Sequence, residues 1–329
     1  MQTDNSSLEY GVLCADCRDL SAVNKMLGGR KVNLVITSPP YADRRKYDET
    51  SGFRPIPPDE YVAWYKDVAA VIAQILEPDG SYLLNIKPHS EGGERSLYVT
   101  DLLLAHKREW GWRFVDEFCW RKTDNGVPGV WPNRLKNAWE PVYHFCREPR
   151  IKFRPQAAGH YSDDCFEYSP ENPTSTSGSG LLGTGARGKA AGDKGAFDGA
   201  GRVGGIARPS NVIEVKSESG QGSHSAPFPR ALVEFFIKSF TDPDDVIFDP
   251  FCGSGSAMVA AMNLGRSCFG CEISPAYTDV IVHRALAYSR QCFYHADSGD
   301  SFEQLKHDRH VGAEDVAQEN REVRQEARA

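Results

Sequence analysis

The amino-acid sequence predicts an α/β fold with a doubly wound, mostly parallel sheet. In residues 8–146, short β-branched or aromatic runs alternate with helical patterns, and this alternation is typical of a parallel sheet covered by helices on both faces. The same alternation returns after residue 223. In each half, one strand runs directly into a loop motif rich in proline or glycine. We therefore expect the functional groups at the carboxyl ends of these two strands.

The first half of the chain predicts five strands and two helices. The first helix follows from apolar residues at three-four spacing, among them Tyr61, Val68 and Ile75. A turn sequence at 77–80 is expected to end it. The predicted strands lie at 8–16, 32–36, 81–86, 114–120 and 139–146, and the predicted helices at 59–76 and 96–110. A charged loop at 41–58 is long enough to act as a mobile lid.

The second half predicts a helix entered through prolines, followed by alternating strands and helices. These elements are expected at 227–240 (helix), 246–249 (strand), a helix that ends at 263–266, 267–273 (strand) and 276–291 (helix). The charged C-terminal tail is expected to be solvated. The chain is thus divided into two catalytic-domain halves, an insert between them and the tail, with boundaries at 1–146, 147–222, 223–295 and 296–329.

The insert at residues 147–222 is rich in glycine and serine with scattered lysine and arginine. This composition cannot bury a core and is typical of a flexible segment. A basic cluster opens the insert, and its members are Arg147, Arg150, Lys152 and Arg154. Although the net charge of the chain is −7, residues 121–216 hold fourteen basic and ten acidic residues. This local excess predicts a surface that faces phosphate groups. The alternative is a solvated charged face with no partner.

The strand at 32–36 ends in the motif Thr37-Ser38-Pro39-Pro40-Tyr41. Two consecutive prolines fix two φ angles and leave carbonyl groups without competing local donors. The Ser38 hydroxyl and the Pro39 carbonyl could accept N–H bonds from the exocyclic amine of a planar base, with Tyr41 stacked on its ring. The alternative is a proline turn that only ends a core strand.

The strand at 246–249 ends in the motif Asp-Pro-Phe-Cys-Gly-Ser-Gly-Ser, residues 249–256. Its glycines let a ligand approach the backbone, and Glu272, at the end of the next strand, is placed to hold a ribose. Met258 stands where the dinucleotide fingerprint has its third glycine, so NAD is a weak match. Asp249 would repel a pyrophosphate but could bind an amino-acid-bearing cation, which favours S-adenosylmethionine. The alternative is a turn with only a packing role.

Nine cysteines fit a reducing compartment. The two CxxC pairs, Cys14 with Cys17 and Cys268 with Cys271, fall on or beside predicted core strands about 250 residues apart. We therefore expect buried thiols and no metal site. The first residues show no basic, apolar, cleavable pattern, and no stretch approaches eighteen apolar residues. A cytoplasmic protein with no membrane association is expected.

The two motifs in combination resemble those of the amino-group DNA methyltransferases, which make N4-methylcytosine or N6-methyladenine. The order, with TSPPY ahead of DPFCGSGS and a Gly-rich segment between them, resembles the circularly permuted β-type of that family, which includes cytosine-N4-specific restriction-modification enzymes. The resemblance covers about residues 8–146 and 209–292. It implies the fold of S-adenosylmethionine-dependent methyltransferases, with residues 147–222 standing where the target-recognition region is expected.

The resemblance also implies site residues. The catalytic group would be Ser38, Pro39, Pro40 and Tyr41. The cofactor-binding residues would be Asp249, Phe251, Gly253 and Gly255 at the methionine part, Glu272 at the ribose, Asp16 near the adenine amine, and Pro227 and Phe228 in an additional cofactor motif. The expected contacts to double-stranded DNA are Arg44, Arg45, Arg147, Arg150, Lys152 and Arg154.

The implied chemistry is direct methyl transfer to a flipped base, because an amine inside a duplex cannot reach the sulfonium. In the family, serine at the first motif position is mostly found in cytosine-N4 enzymes and aspartate in adenine-N6 enzymes. Ser38 therefore favours cytosine, with adenine retained as the alternative. Asparagine, found there in protein-glutamine methylating relatives, is absent. No Pro-Cys dipeptide is present, which argues against carbon-5 methylation.

Two other classes stay open at this point. A catalytically silent DNA-binding module with this fold is disfavoured by the intact motif residues Ser38, Tyr41, Asp249 and Gly253. A nicotinamide-dependent oxidoreductase is disfavoured by Met258 and predicts a preference for NAD. Cofactor binding without DNA would discriminate among them. The resemblance is compatible with a separate restriction endonuclease as functional partner and with a homodimer.

Overall fold

A computed structural model describes residues 8–42, 52–124, 133–162, 205–217, 228–288, 299–302 and 304. Several predictions concern residues outside these ranges. They are residues 43–51 of the lid, most of the Gly-rich insert, nearly all of the charged tail, and the site candidates Arg44, Arg45 and Pro227.

Twelve strands lie in the described part of the chain. They are β1 (Tyr10–Cys14), β2 (Val32–Thr37), β3 (Leu76–Asn85), β4 (Ser90–Glu91), β5 (Glu94–Arg95), β6 (Arg113–Lys122), β7 (Trp139–Cys146), β8 (His160–Ser162), β9 (Gly205–Ala207), β10 (Val212–Val215), β11 (Val246–Asp249) and β12 (Ser267–Glu272). Eight of them form one sheet in the order β1-β12-β11-β2-β3-β7-β6-β10. Only β7 runs antiparallel to its neighbours, β3 and β6. The predicted mostly parallel sheet is confirmed.

Six α-helices accompany these strands in the same residues. They are α1 (Leu20–Leu27), α2 (Tyr61–Ile75), α3 (Tyr98–Arg108), α4 (Arg230–Phe240), α5 (Ser256–Asn263) and α6 (Pro275–Tyr288). The sequence prediction missed α1. Its start and end signals are nevertheless present, because the Asp19 carboxylate accepts from the Ala22 amide and Gly28 closes the helix at a φ of 60°.

Both faces of the sheet are covered, as a doubly wound fold requires. Leu34 and Ile36 of β2 belong to one buried cluster, whereas Val35 between them belongs to the other. Successive side chains on a strand point to opposite faces, so the two clusters lie on opposite sides of the sheet. Buried residues of α1, α2 and α3 complete the first cluster, and those of α4, α5 and α6 complete the second.

Residues 154–210 form a second compact unit, and the rest of the chain forms the first. The described part of the second unit contains a 3-10 helix, Pro155–Ala158, and the antiparallel pair β8 and β9. This unit spans fewer residues than the predicted insert, which was placed at 147–222. Ile213 in β10 is buried in the first unit, where β10 is the edge strand of the sheet and pairs with β6. The composition of the insert hid this strand, because its glycine-rich neighbours dominate any window around it.

Two details of the prediction need correction. The turn expected at 77–80 is part of β3, which begins directly after α2 with an irregular register opposite β2. Of the four cysteines expected to be buried, Cys14 is exposed, whereas Cys17, Cys268 and Cys271 are buried. In the described residues, no helix is long and apolar enough to cross a membrane, and no group of His, Cys, Asp or Glu is arranged to hold a metal ion.

The core contains a histidine that is held neutral. His106 on α3 is fully buried, its Nδ1 is 2.8 Å from the Leu102 carbonyl oxygen, and its ring stacks on Phe145 at 4.6 Å. Within the described residues, its Nε2 has no hydrogen-bond partner. Burial lowers the pKa of His106 from 6.5 to about 4, against a smaller opposing effect of the Leu102 hydrogen bond. Between pH 6.5 and about 4, the imidazole of His106 is therefore neutral in the folded protein and protonated in the unfolded chain.

We expect the free energy of unfolding to fall as pH drops from 6.5 to about 4, since only the unfolded state gains a proton at this residue in that range. The loss from His106 approaches about 1.4 kcal/mol per pH unit. His106→Phe should make urea-unfolding free energies less dependent on pH in this window. His160→Phe, at an exposed position, is the matched control. An unchanged slope in His106→Phe would contradict this account.

Candidate active site

The two sequence motifs meet at the carboxyl ends of neighbouring strands. β11 pairs in parallel with β2, with Phe248 opposite Val35, so the residues after both strands emerge at one edge of the sheet. The Thr37 hydroxyl donates to Asp249 Oδ1 at 2.7 Å, and this contact is buried. The two motifs therefore lie side by side.

The conformation of the Pro-Pro loop is fixed by a hydrogen bond from another element as well as by its two proline rings. The Tyr61 hydroxyl donates to the Pro40 carbonyl at 2.6 Å, and Pro39 is buried. Ser38 is half-buried, and its hydroxyl forms no hydrogen bond with any residue that the structure describes. Ser38 Oγ therefore has the capacity to accept a hydrogen bond from a ligand, and its contact with a base stays a prediction.

Tyr41 is held at its hydroxyl by residues that the sequence analysis missed. This hydroxyl donates to Glu140 Oε2 at 3.1 Å and lies 3.4 Å from Asn85 Oδ1. Glu140 is buried, and its Oε1 accepts from the ammonium groups of Lys87 and Lys122. The network joins the ends of three strands that are far apart in sequence, so local patterns gave no signal for it.

Asp249 is a buried carboxylate, only 4% exposed. Its Oδ1 accepts from the Thr37 hydroxyl and from the Phe251 amide at 3.0 Å, and no described residue donates to Oδ2. Burial and, to a smaller extent, the charge of Glu272 raise the pKa of Asp249 to about 7, against the opposing effect of these two donors. The free oxygen suits a cationic ligand group that would restore the charged form.

Glu272 ends β12, the next strand of the sheet. Its Oε2 accepts from the Gly253 amide at 2.8 Å and its Oε1 from the Ser274 amide at 2.9 Å. These bonds fix the orientation of the carboxylate, a group of the type that accepts from the hydroxyls of a ribose. Gly255, which precedes α5, has a φ of 78°, and a Cβ there would lie 3.2 Å from Ile281.

Ser256, the last residue of the second motif, is absent from the predicted site residues. It begins α5, is 4% exposed, and its hydroxyl has no partner among the described residues. A buried hydroxyl without a partner is costly, and its position at a helix N-terminus favours an anionic ligand group. The motif glycines, Asp249 and Ser256 together therefore offer groups for both charges of an amino acid.

The three remaining described residues that are predicted to bind the cofactor, Phe251, Phe228 and Asp16, each pack against a different part of the fold. Phe251 packs against Trp64 at 5.8 Å and Tyr65 at 6.4 Å, which gives the site an aromatic wall. Phe228 packs instead on the cluster that contains α4 and α5. Asp16 follows β1, whose Cys14 pairs with Glu272, and lines a groove of about 410 Å³.

The Asp16 carboxylate is already engaged by a neighbour. Arg18 binds both of its oxygens, at 3.0 and 2.6 Å. Burial raises the pKa of Asp16, but the hydrogen bonds and charge of Arg18 outweigh burial and leave the pKa below its ordinary value. Asp16 is thus an ionised acceptor at the end of the strand beside Glu272.

Comparison with known proteins agrees with this arrangement. The model of the N6/N4 family, described as DNA methylase, matches residues 32–283 and so covers both motifs. The chain belongs to this family. Among curated relatives of the methylase, type II methyltransferase M.PvuII from Proteus hauseri is 27% identical over 285 residues, 78% of either chain. M.ScaI from Streptomyces caespitosus is 25% identical over 275 residues, 79% of this chain and 77% of the relative.

Solved structures share the fold of the methylase. The PvuII DNA methyltransferase, whose description reads cytosine-N4-specific, superposes with a TM-score of 0.58 at 22% identity, over 84% of this chain and 86% of the other. A complex of M1.HpyAVI with S-adenosylmethionine (SAM) gives a TM-score of 0.51 at 19% identity, over 84% and 98% of the two chains.

The residues of the methylase that are predicted to contact DNA differ in whether other residues of the protein already bind them. Arg147 donates to the Trp110 carbonyl at 3.2 Å and lies over the Trp112 ring at 5.1 Å. Lys152 is paired with Asp245 at 2.6 Å. Arg150 is exposed, and Arg154 is an exposed residue of the second compact unit. Of the predicted contacts that the structure describes in the first unit, Arg150 is therefore the one best placed to contact a phosphate group.

We expect Arg150→Gln to reduce the slope of log DNA affinity against log salt concentration by about 1, because one phosphate contact is lost. Lys152→Gln is the matched control. It should leave the slope unchanged and lower the thermal unfolding midpoint, since Asp245 loses its partner. Fluorescence anisotropy over a salt series measures both slopes. Equal slopes in wild type and Arg150→Gln would remove Arg150 as a contact.

Proposed function

We propose that this methylase transfers a methyl group from S-adenosylmethionine to the exocyclic N4 amine of a cytosine that is flipped out of double-stranded DNA. The observation that carries the proposal is the direct contact between the two motifs through Thr37 and Asp249. It brings a candidate base-binding loop and a candidate cofactor-binding turn to one edge of the sheet. Family membership supports DNA as the substrate.

The residues fit S-adenosylmethionine. Asp249 Oδ2 would accept from the ammonium group of the cofactor, the buried Ser256 hydroxyl would donate to its carboxylate, and Glu272 would accept from the ribose hydroxyls. The ionised Asp16 would lie towards the adenine amine. The complex of the structurally similar M1.HpyAVI with the same cofactor supports this assignment. When bound, S-adenosylmethionine supplies an electrophilic methyl group on a sulfonium.

The base-binding loop would orient the acceptor amine. The Ser38 hydroxyl and the Pro39 carbonyl accept its two N–H bonds, and the Pro40 carbonyl is already occupied by Tyr61. These bonds favour the tetrahedral nitrogen whose lone pair attacks the methyl group. The amine nitrogen would form its bond to the methyl carbon as the carbon–sulfur bond breaks and the sulfonium becomes a neutral thioether, and one amine proton would be released to water. The side chain of Tyr41 stacks on the ring, and positioning supplies most of the acceleration.

Cytosine is favoured over adenine by Ser38 and by the description of the PvuII enzyme. Adenine-N6 methylation is the second candidate, because the family model covers both acceptors. Both bases present an amine beside a ring nitrogen, so the same loop could serve either. The type II methyltransferases among the relatives support a restriction endonuclease that acts separately.

The decisive test is nucleoside mass spectrometry of unmethylated DNA after incubation with the protein and S-adenosylmethionine. N4-methylcytosine is the expected product, whereas N6-methyladenine would replace the acceptor assignment. We expect Tyr41→Ala to lower kcat about tenfold to a hundredfold through loss of stacking, with cofactor affinity retained. Asp249→Ala should weaken cofactor binding instead. The absence of any methylated base over DNA of varied sequence would overturn the proposal.

The affinity for S-adenosylmethionine should depend on pH through Asp249. Its pKa of about 7 means that the carboxylate is mostly protonated at pH 6 and ionised above 7, so affinity should rise with pH. The rise should approach about tenfold per pH unit below pH 7. Thr37→Val removes a donor to the charged form and should move the midpoint to higher pH. Calorimetric titrations between pH 5.5 and 7.5 test this.

Asp249→Asn is the control for this titration, because it has no ionisable group at the position. Its affinity for S-adenosylmethionine should be low and should vary little over the same pH range. A wild-type affinity that is flat between pH 5.5 and 7.5 would contradict the role of Asp249.

A further inference from the structure

A buried ion triad lies behind the predicted base-stacking tyrosine. Glu140 is the second residue of β7, and its side chain is only 7% exposed. Lys122 lies 2.6 Å from its Oε1, and Lys87 binds the same oxygen. The other oxygen, Oε2, accepts from the Tyr41 hydroxyl. One carboxylate thus links two ammonium groups to the aromatic ring of the candidate site.

Strand pairing explains why the side chains of Lys87, Glu140 and Lys122 lie in contact. Asn85 of β3 pairs with Val142 of the antiparallel β7, so two positions further along the strands Lys87 and Glu140 lie side by side. On its other side β7 pairs with β6, where Trp120 is opposite Glu140. Lys122, two residues later, reaches back over the Trp120 ring at 4.7 Å.

Stability alone does not account for the triad. Removing three charges from water is expensive, and hydrophobic residues of similar volume are often as stable or more so. Burial, the largest effect, raises the pKa of Glu140, but Lys87 and Lys122 together outweigh it and hold the pKa below its usual range. The carboxylate is therefore a permanently charged acceptor, which makes the stronger kind of hydrogen bond.

The consequence for Tyr41 is a fixed ring. A phenol has one proton to donate, and the Glu140 oxygen at 3.1 Å is closer than Asn85 Oδ1 at 3.4 Å. Asn85 is itself held by donation to the Pro141 carbonyl at 2.9 Å. The ring is thus anchored at its hydroxyl by β3 and β7 and at its backbone by the Pro-Pro loop.

We propose that Glu140 is a positioning residue for base methylation, which acts through the Tyr41 hydroxyl to hold the ring in the plane that stacks on the flipped base. Lys87 and Lys122 keep Glu140 ionised and in place. Neither the carboxylate nor the ammonium groups touch the reacting atoms. This inference rests on the proposed function, because it assigns a task to the stacking of Tyr41.

A double-mutant cycle tests the inference. Tyr41→Phe keeps the ring and removes only its hydroxyl, whereas Glu140→Gln removes the charge of the acceptor. Each should lower kcat for DNA methylation about tenfold and leave the dissociation constant of S-adenosylmethionine unchanged. If both act through one hydrogen bond, the double variant should also lose about tenfold. Loss of about a hundredfold, or wild-type kcat in either single variant, would overturn the inference.

Glu140→Gln leaves two lysines without their full counter-charge, which favours misfolding. A triple variant therefore serves as a second test of the inference. Lys87→Met, Glu140→Leu and Lys122→Met together replace the triad by apolar side chains and leave no charge unpaired. Its thermal midpoint should be close to that of wild type, and its kcat should match that of Tyr41→Phe. Wild-type kcat in this variant would overturn the inference alone. Absence of methylation by the wild-type protein would overturn the proposed function with it.

Discussion

The hydrogen bond from Thr37 to Asp249 is the contact on which the site depends. It links the last residues of two central strands, β2 and β11, that are more than two hundred residues apart in the sequence. A carboxylate buried there is stable only with donors, and the strand-end hydroxyl and the Phe251 amide supply them. The same bond thus satisfies the candidate cofactor-binding turn, links it to the candidate base-binding loop and joins the two halves of the permuted chain.

The sequence predicted what is encoded locally. The β-branched run before Ser38 and the glycines after Asp249 identify two strand ends, and the three-four spacing identifies α2. The prediction failed where the determining contacts are distant or the element is short. α1 has only eight residues, and β10 is stabilised by pairing with β6.

The prediction is limited in the same way for charged side chains, because their binding partners are distant in the sequence. Lys152 and Arg147 belong to a run that predicts phosphate contacts, yet Asp245 binds the first and the carbonyls of Trp110 and Gly111 bind the second. These partners lie 93, 37 and 36 residues away. A charge cluster in a sequence gives the residue types available, whereas the fold decides which of them remain free to bind a ligand.

The reversed strand β7 has a consequence for protein engineering. Because it runs against its neighbours, its first residues lie at the edge formed by the last residues of β3. The connection from β6 to β7 therefore departs at Lys122 and returns at Glu140, two members of one ion triad. For the design of variants, we therefore expect that replacing either residue disturbs both ends of the connection at once.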